Sequence, residues 1–141
     1  NNVVVCCAES GLEQCQLTGH TDRVTGVCFD PTGKTIVSCS WDKTIRFWDS
    51  ATGAAIGSPV NVDSRVWSVA FSVDGTTLAA GCGSGKIYFV DPTAGEIKSS
   101  LRGHSAIVTS VCFSSDGKKL TSGSADTTAR NWNPATRASL S

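Results

Sequence analysis

Short apolar runs separated by polar turns recur along the whole chain. Val24–Phe29 is followed by a Pro-Thr-Gly turn, and Thr35–Ser40 and Thr44–Asp49 follow with polar residues between them. A weaker run covers residues 54–60. β-branched residues and period-two alternation in such short runs are typical of antiparallel strands. No stretch has the 3.6-residue periodicity of a helix long enough to matter. The pattern therefore predicts an all-β protein with four short strands in each unit.

These units repeat every 42 residues. The segment from Phe29 to Lys34 recurs from Phe71 to Thr76 and again from Phe113 to Lys118. A fixed period of this length indicates a repeat architecture, whose units bury their apolar faces by stacking on one another. The period predicts outer strands of a preceding unit at 1–18, a first repeat at 19–60, a second, degenerate repeat at 61–102 and a third, truncated repeat at 103–141.

Charge and hydropathy exclude two classes of partner. Twelve Lys and Arg residues balance twelve Asp and Glu residues. A protein that binds phosphate backbones or anionic membranes needs a cationic surplus, so we predict no nucleic-acid or membrane partner. The longest unbroken apolar run, Val3–Ala8, is far shorter than the roughly 18 residues of a membrane helix.

The seven cysteines are predicted to be small buried thiols. Their number is odd and no Cys-x-x-Cys pair occurs, which argues against a disulfide framework and a zinc site. Reduced thiols favour a cytoplasmic location, with the nucleus as the alternative. We predict no metal and no cofactor.

Four motifs carry a resemblance to a known family. Gly19-His20, the Phe-x-x-x-Gly turn, Ser38-x-Ser40-x-Asp42 and Phe47-Trp48-Asp49 resemble the WD-repeat (transducin β-like) signature. The resemblance implies a β-propeller in which each repeat forms one four-stranded blade, with about three blades in this chain. Trp132-Asn133 departs from the usual Trp-Asp ending.

The resemblance also implies a hydrogen-bonded tetrad in each blade: a His before the first strand, a Ser or Thr on the second, an Asp in the next turn and a Trp on the third. The second repeat has apolar residues at three of these positions and is expected to lack the network. Because the set recurs in two repeats, it indicates a structural role and not a catalytic triad, and we predict no enzyme. The implied tetrads are His20, Ser38 (or Ser40), Asp42 and Trp48, and His104, Ser122, Asp126 and Trp132.

Similar propellers usually bind partners on the top face, where each innermost strand begins. Trp and Arg dominate binding hot spots, so two of each at such positions predict a docking patch. In the alternative interpretation, Trp67 only packs at the channel mouth, a neighbouring blade covers Trp41, and the Arg side chains are ordinary solvated charges. The implied partner-binding residues are Arg23, Thr25, Trp41, Arg65, Trp67, Ile107 and Thr109.

These observations predict a non-enzymatic scaffold that binds a protein or peptide. A purely structural role in a larger assembly and a small-ligand-binding propeller stay open. Propellers use four or more blades, so three blades form a partial ring. Either the chain is a fragment of a longer propeller, or residues 12–18 of one copy complete the blade of residues 104–133 in a second copy, giving a homo-oligomer.

Overall fold

A computed structural model describes residues 1–140 and shows thirteen β-strands. None of these residues is helical, so no membrane-spanning helix occurs among them, and the predicted all-β class is confirmed. The strands are β1 Val3–Cys6, β2 Glu13–Leu17, β3 Val24–Phe29, β4 Thr35–Ser40, β5 Thr44–Asp49, β6 Ala55–Asn61, β7 Val66–Phe71, β8 Leu78–Cys82, β9 Lys86–Asp91, β10 Glu96–Arg102, β11 Val108–Phe113, β12 Leu120–Ser124 and β13 Ala129–Trp132.

Consecutive strands pair antiparallel and form four sheets. We call them the N-terminal hairpin (β1 and β2), blade 1 (β3–β6), blade 2 (β7–β10) and blade 3 (β11–β13). The prediction of four-stranded blades is confirmed for blades 1 and 2. In blade 3 the segment after β13 makes one isolated bridge, between Trp132 and Ser139, in the place where blades 1 and 2 have a fourth strand.

The blades are held together by apolar side chains that are buried between neighbouring sheets. The innermost strands β3, β7 and β11 pack side by side. Val37 and Phe47 of blade 1 are buried against Leu78 and Val90 of blade 2. The opposite face of blade 2 is buried against blade 3, where Phe89 belongs to the same cluster as Leu120 and Trp132. The N-terminal hairpin covers Ile36 and Trp48 of blade 1 with Leu17.

The two outermost faces of this stack differ in chemistry. Beside the N-terminal hairpin, a groove of about 190 Å³ is lined by apolar residues of β1 and β3, among which Val27 is 52% and Phe29 55% exposed. Among residues 1–140, β2 is the one strand that pairs with β1.

The far face of blade 3 is polar. The positions that hold buried Val37 and Phe47 in blade 1, and buried Ala79 and Phe89 in blade 2, hold Thr121 and Asn131 in blade 3. The Thr121 hydroxyl donates a hydrogen bond to the Asn131 side-chain oxygen at 2.8 Å.

The cysteine prediction is confirmed only in part. All seven are free thiols, and Cys39 and Cys82 are buried between blades 1 and 2. Burial raises the pKa of both to about 12, which makes them poor nucleophiles. Cys6 and Cys112 are exposed, because β1 and the far face of blade 3 lack a covering blade.

Restoring the apolar residues on the far face of blade 3 should make the protein self-associate. We expect Thr121→Val combined with Asn131→Phe to raise the average mass in light scattering as concentration increases, because exposed apolar area favours association. The control pair Thr93→Val and Ser115→Phe adds similar area on exposed turns and should leave the mass nearer to that of the parent chain. Equal masses for the restored variant and the parent would contradict this assignment of the face.

Candidate functional site: an Arg–Trp cluster at the top face

A β-bulge recurs at the same place in each innermost strand. The pairing register shifts between Val24 and Gly26, between Val66 and Ser68, and between Val108 and Ser110. The residues that this shift leaves without a Cα partner are Thr25, Trp67 and Thr109. Bulges re-aim side chains out of the regular pleat, so the fold gives one special position per blade at the end where these strands begin, here called the top face.

A second contact fixes the residues beside each bulge. The backbone N–H of Trp41 donates to the carbonyl of Arg23 at 2.9 Å, and that of Gly83 donates to the carbonyl of Arg65 at 2.8 Å. In blade 3 the equivalent bond joins Ala125 to Ile107 at 2.9 Å. In each blade this bond therefore holds the start of the innermost strand against the turn that joins the second and third strands.

Four of the predicted binding residues meet across the boundary between blades 1 and 2. The rings of Trp41 and Trp67 lie 5.2 Å apart between centroids, tilted by 54°. The guanidinium carbons of Arg23 and Arg65 lie 4.6 Å and 4.4 Å from the Trp41 ring centroid, within cation–π range. We call Arg23, Trp41, Arg65 and Trp67 the Arg–Trp cluster.

The cluster leaves polar groups unused. Arg23 and Arg65 are exposed, the two Trp side chains are half-buried, and neither Arg pairs with a carboxylate of residues 1–140. The indole nitrogens of Trp41 and Trp67 are buried, and neither has a hydrogen-bond partner within that range. The two Trp side chains thus pack against each other, and both Arg side chains lie over the Trp41 ring.

The other predicted binding residues lie apart from these ring contacts. The Thr25 hydroxyl donates to the carbonyl of Val66 at 2.6 Å and so joins blade 1 to blade 2. Exposed Thr109 donates to the carbonyl of Gly123 at 3.2 Å, and Ile107 is half-buried in blade 3.

Beneath the top face, the structure brings the predicted tetrad residues into hydrogen-bonded chains. In blade 1, His20 Nε2 lies 2.7 Å from Ser38 Oγ, its Nδ1 lies 2.8 Å from Asp42 Oδ2, and the Trp48 indole donates to Ser38 at 2.8 Å. Ser40 instead donates to the carbonyl of Asp22 and accepts from the backbone of Asp42. Blade 3 repeats the tetrad distances with His104, Ser122, Asp126 and Trp132.

One arrangement of protons gives every side chain of the blade 1 tetrad a hydrogen-bond partner. If the indole N–H donates to Ser38, the Ser38 hydroxyl donates to His20 Nε2, and the Nδ1 proton of a neutral His20 donates to Asp42. Burial by itself would raise the pKa of Asp42, but hydrogen bonds from Thr44, His20 and Thr21 outweigh it and lower the pKa to about 2. Asp42 is therefore a stabilising acceptor and not a general base near neutral pH.

Blade 2 replaces the tetrad with a different polar network that the sequence patterns did not reveal. Val62, Ala80 and Val90 stand where the other blades have His, Ser and Trp. One residue later, Asp63 forms an ion pair with Lys86 and accepts a hydrogen bond from Ser84 at 3.1 Å. This network could have been predicted from one feature of the sequence: Asp63 and Lys86, 23 residues apart, both occur in the repeat that lacks the tetrad.

Within residues 1–140, no group of three His, Cys, Asp or Glu side chains is placed to hold a metal ion. The strongest shifts in carboxylate pKa belong to Asp42 and Asp126. Hydrogen bonds from Thr44 and His20 lower the first pKa, and hydrogen bonds from Thr128 and His104 lower the second. The top face itself carries the two exposed Arg side chains and the aromatic rings of Trp41 and Trp67.

Stacked antiparallel sheets whose innermost strands pack side by side define a β-propeller segment. The family description "WD domain, G-beta repeat" (WD40) matches residues 11–49, 58–91 and 95–133, which is most of the chain. The chain belongs to the WD40 family, as its motifs indicated.

Individual relatives match over shorter stretches. Over 57 residues the chain is 51% identical to an uncharacterized WD repeat-containing protein, sll1491, of Synechocystis, covering 40% of this chain and 16% of that protein. Over 41 residues it is 54% identical to the U3 small nucleolar RNA-associated protein 21 of Saccharomyces cerevisiae, covering 29% of this chain and 4% of that protein. The match therefore spans only a small part of these relatives.

A solved structure is similar in fold. The crystal structure of the RRP9 WD40 repeats aligns with a TM-score of 0.84 and 26% identity, covering 89% of this chain and 39% of that chain. The predicted propeller fold is confirmed by this similarity.

Removing the charge of the tetrad carboxylate should weaken the fold and flatten its acid response. We expect Asp42→Asn to lower the free energy of unfolding by about 1–3 kcal/mol at neutral pH, because buried donors lose a charged acceptor. The folded-state pKa of Asp42 is depressed from 3.8 to about 2, so its contribution is present above 3.8 and is lost as the pH falls towards 2.

Denaturant titrations across that pH range measure both effects. The variant should lose less stability than the parent chain between these two pH values. Some dependence of the free energy of unfolding on pH should remain, because Asp126 is unchanged and its pKa is also lowered. Asp22→Asn, at an exposed position in the loop before β3, serves as the control and should keep the parent slope. An unchanged slope in Asp42→Asn would contradict the assignment.

Proposed function

We propose that this chain is a non-enzymatic interaction scaffold that binds a protein or peptide partner on the top face, through the Arg–Trp cluster. The observation that carries the proposal is the contact of two Arg and two Trp side chains across one blade boundary. WD40 proteins are generally scaffolds that bind protein partners, so the family supports the class of function.

The energetics of the cluster suit a hot spot. Trp and Arg bury large areas and make directional contacts when a partner excludes water. The mutual packing of Arg23, Trp41, Arg65 and Trp67 restrains these side chains before binding, which lowers the entropy that association costs. Ile107 and Thr109 extend the proposed surface over blade 3, and Thr25 supports it from below.

We further propose that additional blades complete the ring, and not a second copy docked head to tail. In a head-to-tail dimer the polar far face of blade 3, with Thr121 and Asn131, would cover the apolar groove beside Val27 and Phe29. A polar face covers apolar side chains poorly, because hydrophobic stabilisation grows with the apolar area that both surfaces remove from water. The 39% share of the solved WD40 chain that this chain covers is consistent with a larger ring, in which 19–60, 61–102 and 103–141 are successive repeats.

For the location, we propose the nucleus over the cytoplasm. The name of the yeast relative places that protein with a small nucleolar RNA. The reduced state of all seven cysteines is compatible with either compartment.

Truncating the bulge Trp should abolish partner capture without unfolding the blades. We expect Trp67→Ala to reduce recovery of specific proteins from a lysate of the source cells by about tenfold or more, as for a hot-spot residue. Val73→Ala changes an exposed apolar residue on a turn at the opposite end of the strands and is the matched control.

Cross-linking mass spectrometry on the captured complexes would locate the partner, and thermal unfolding would check each variant. Cross-links that map to the Phe71–Thr76 end, or equal capture by the Trp67→Ala variant, would contradict top-face docking. Capture of nothing by the folded parent chain would favour a purely structural role.

A further inference from the structure

We propose that the segment which docks on the Arg–Trp cluster is an acidic peptide, whose carboxylates pair with Arg23 and Arg65. This inference rests on the proposed function and adds the chemistry of the partner.

The first support is the state of the two guanidinium groups. Both lie over the same Trp41 ring, at 4.6 Å and 4.4 Å, which restrains them while their N–H edges stay available for hydrogen bonds. Neither forms an ion pair within residues 1–140. Two restrained guanidinium groups match the geometry of carboxylate oxygens, which Arg binds in paired hydrogen bonds.

The second support is the charge around the cluster. The carboxylates of the neighbouring loops already have partners, since Asp42 accepts from His20 and Thr44, and Asp63 is paired with Lys86. Asp22 is exposed, and its carboxylate accepts the backbone N–H of Arg23 at 2.7 Å. These carboxylates are therefore held by other groups, and neither Arg side chain has an ion-pair partner among residues 1–140.

The third support is the pair of unused indole donors. The Nε1 atoms of Trp41 and Trp67 are buried under this surface without an acceptor, which costs free energy in the unbound state. A carboxylate acceptor brought to this surface would offer these donors a partner that they lack among residues 1–140.

Direct binding to the full 141-residue chain tests the proposal. The probe is a fluorescein-labelled peptide of alternating Glu and Gly, compared with the same peptide carrying Gln in place of Glu. At low salt we expect the Glu peptide to bind about tenfold tighter or more, and this advantage should shrink at high salt as charges are screened.

Charge-removing variants locate the contact. Arg23→Gln and Arg65→Gln should each remove most of the preference for Glu, whereas Arg102→Gln and Lys43→Gln, at other exposed positions, should keep it. Arg65→Lys keeps the charge but loses the planar fork, so we expect an intermediate preference. Thermal unfolding of each variant shows that the fold is retained.

The outcomes separate this inference from the proposed function. No binding of the Glu peptide, equal binding of the Glu and Gln peptides, or equal loss in Arg102→Gln overturns the acidic partner. If both peptides bind equally and Trp67→Ala abolishes both, top-face docking stands and only the partner chemistry fails. A preference for the phosphoserine version of the peptide, competed by inorganic phosphate and absent for Glu, overturns the carboxylate and assigns a phosphorylated ligand.

Discussion

Blade 2 has apolar side chains on both faces and needs a neighbouring sheet on each, and the rest of the structure depends on this constraint. Strand alternation places Phe89 on one face of blade 2 and Leu78 and Val90 on the other, and all three are buried. A sheet with two apolar faces cannot be stable alone in water, since each buried side chain contributes about 1.5–3 kcal/mol only when a neighbour covers it. Stacking of successive sheets follows, and the innermost strands are brought together as a consequence.

The tetrads depend on this packing and are not required for it. Blade 2 stacks on both neighbours although Val62, Ala80 and Val90 replace the hydrogen-bonded residues. Three apolar side chains there avoid the cost of a partly satisfied polar network. The Asp63–Lys86 ion pair then supplies a polar connection nearer the surface, where water tolerates charge. Repeats of one architecture thus stabilise the same turn by two different means.

The backbone geometry at the top face recurs in every blade, whereas the side chains that it presents differ. The bulge and the backbone bond beside it recur in all three blades, yet the bulge residue is Thr25 in one blade and Trp67 in the next. A rigid backbone position with a variable side chain allows each blade to present different chemistry on one face. The Arg–Trp cluster arises because a Trp on the turn of blade 1 and a Trp on the bulge of blade 2 point to the same boundary.

Most of the fold could be predicted from the period and the strand pattern. The recurrence of Phe29, Phe71 and Phe113 fixes the repeat, and alternation within each run gives the strands, because both signals are local in sequence. The motif likeness also named the residues that meet in the tetrads, but left Ser38 and Ser40 as alternatives. Only the strand register places Ser38 opposite Arg46 and thereby aims its hydroxyl at His20 and Trp48.

By itself, then, the sequence determined the repeat, the all-β class and the chemistry available at each turn. The tertiary structure alone decided which groups from different blades meet: Arg65 over Trp41, Trp67 beside it, and Thr25 on the carbonyl of Val66. It also revealed that Thr121 and Asn131 form an uncovered polar face. The physical reason is that contacts between sheets depend on how far each blade is rotated and shifted against the next, and no local pattern encodes that geometry.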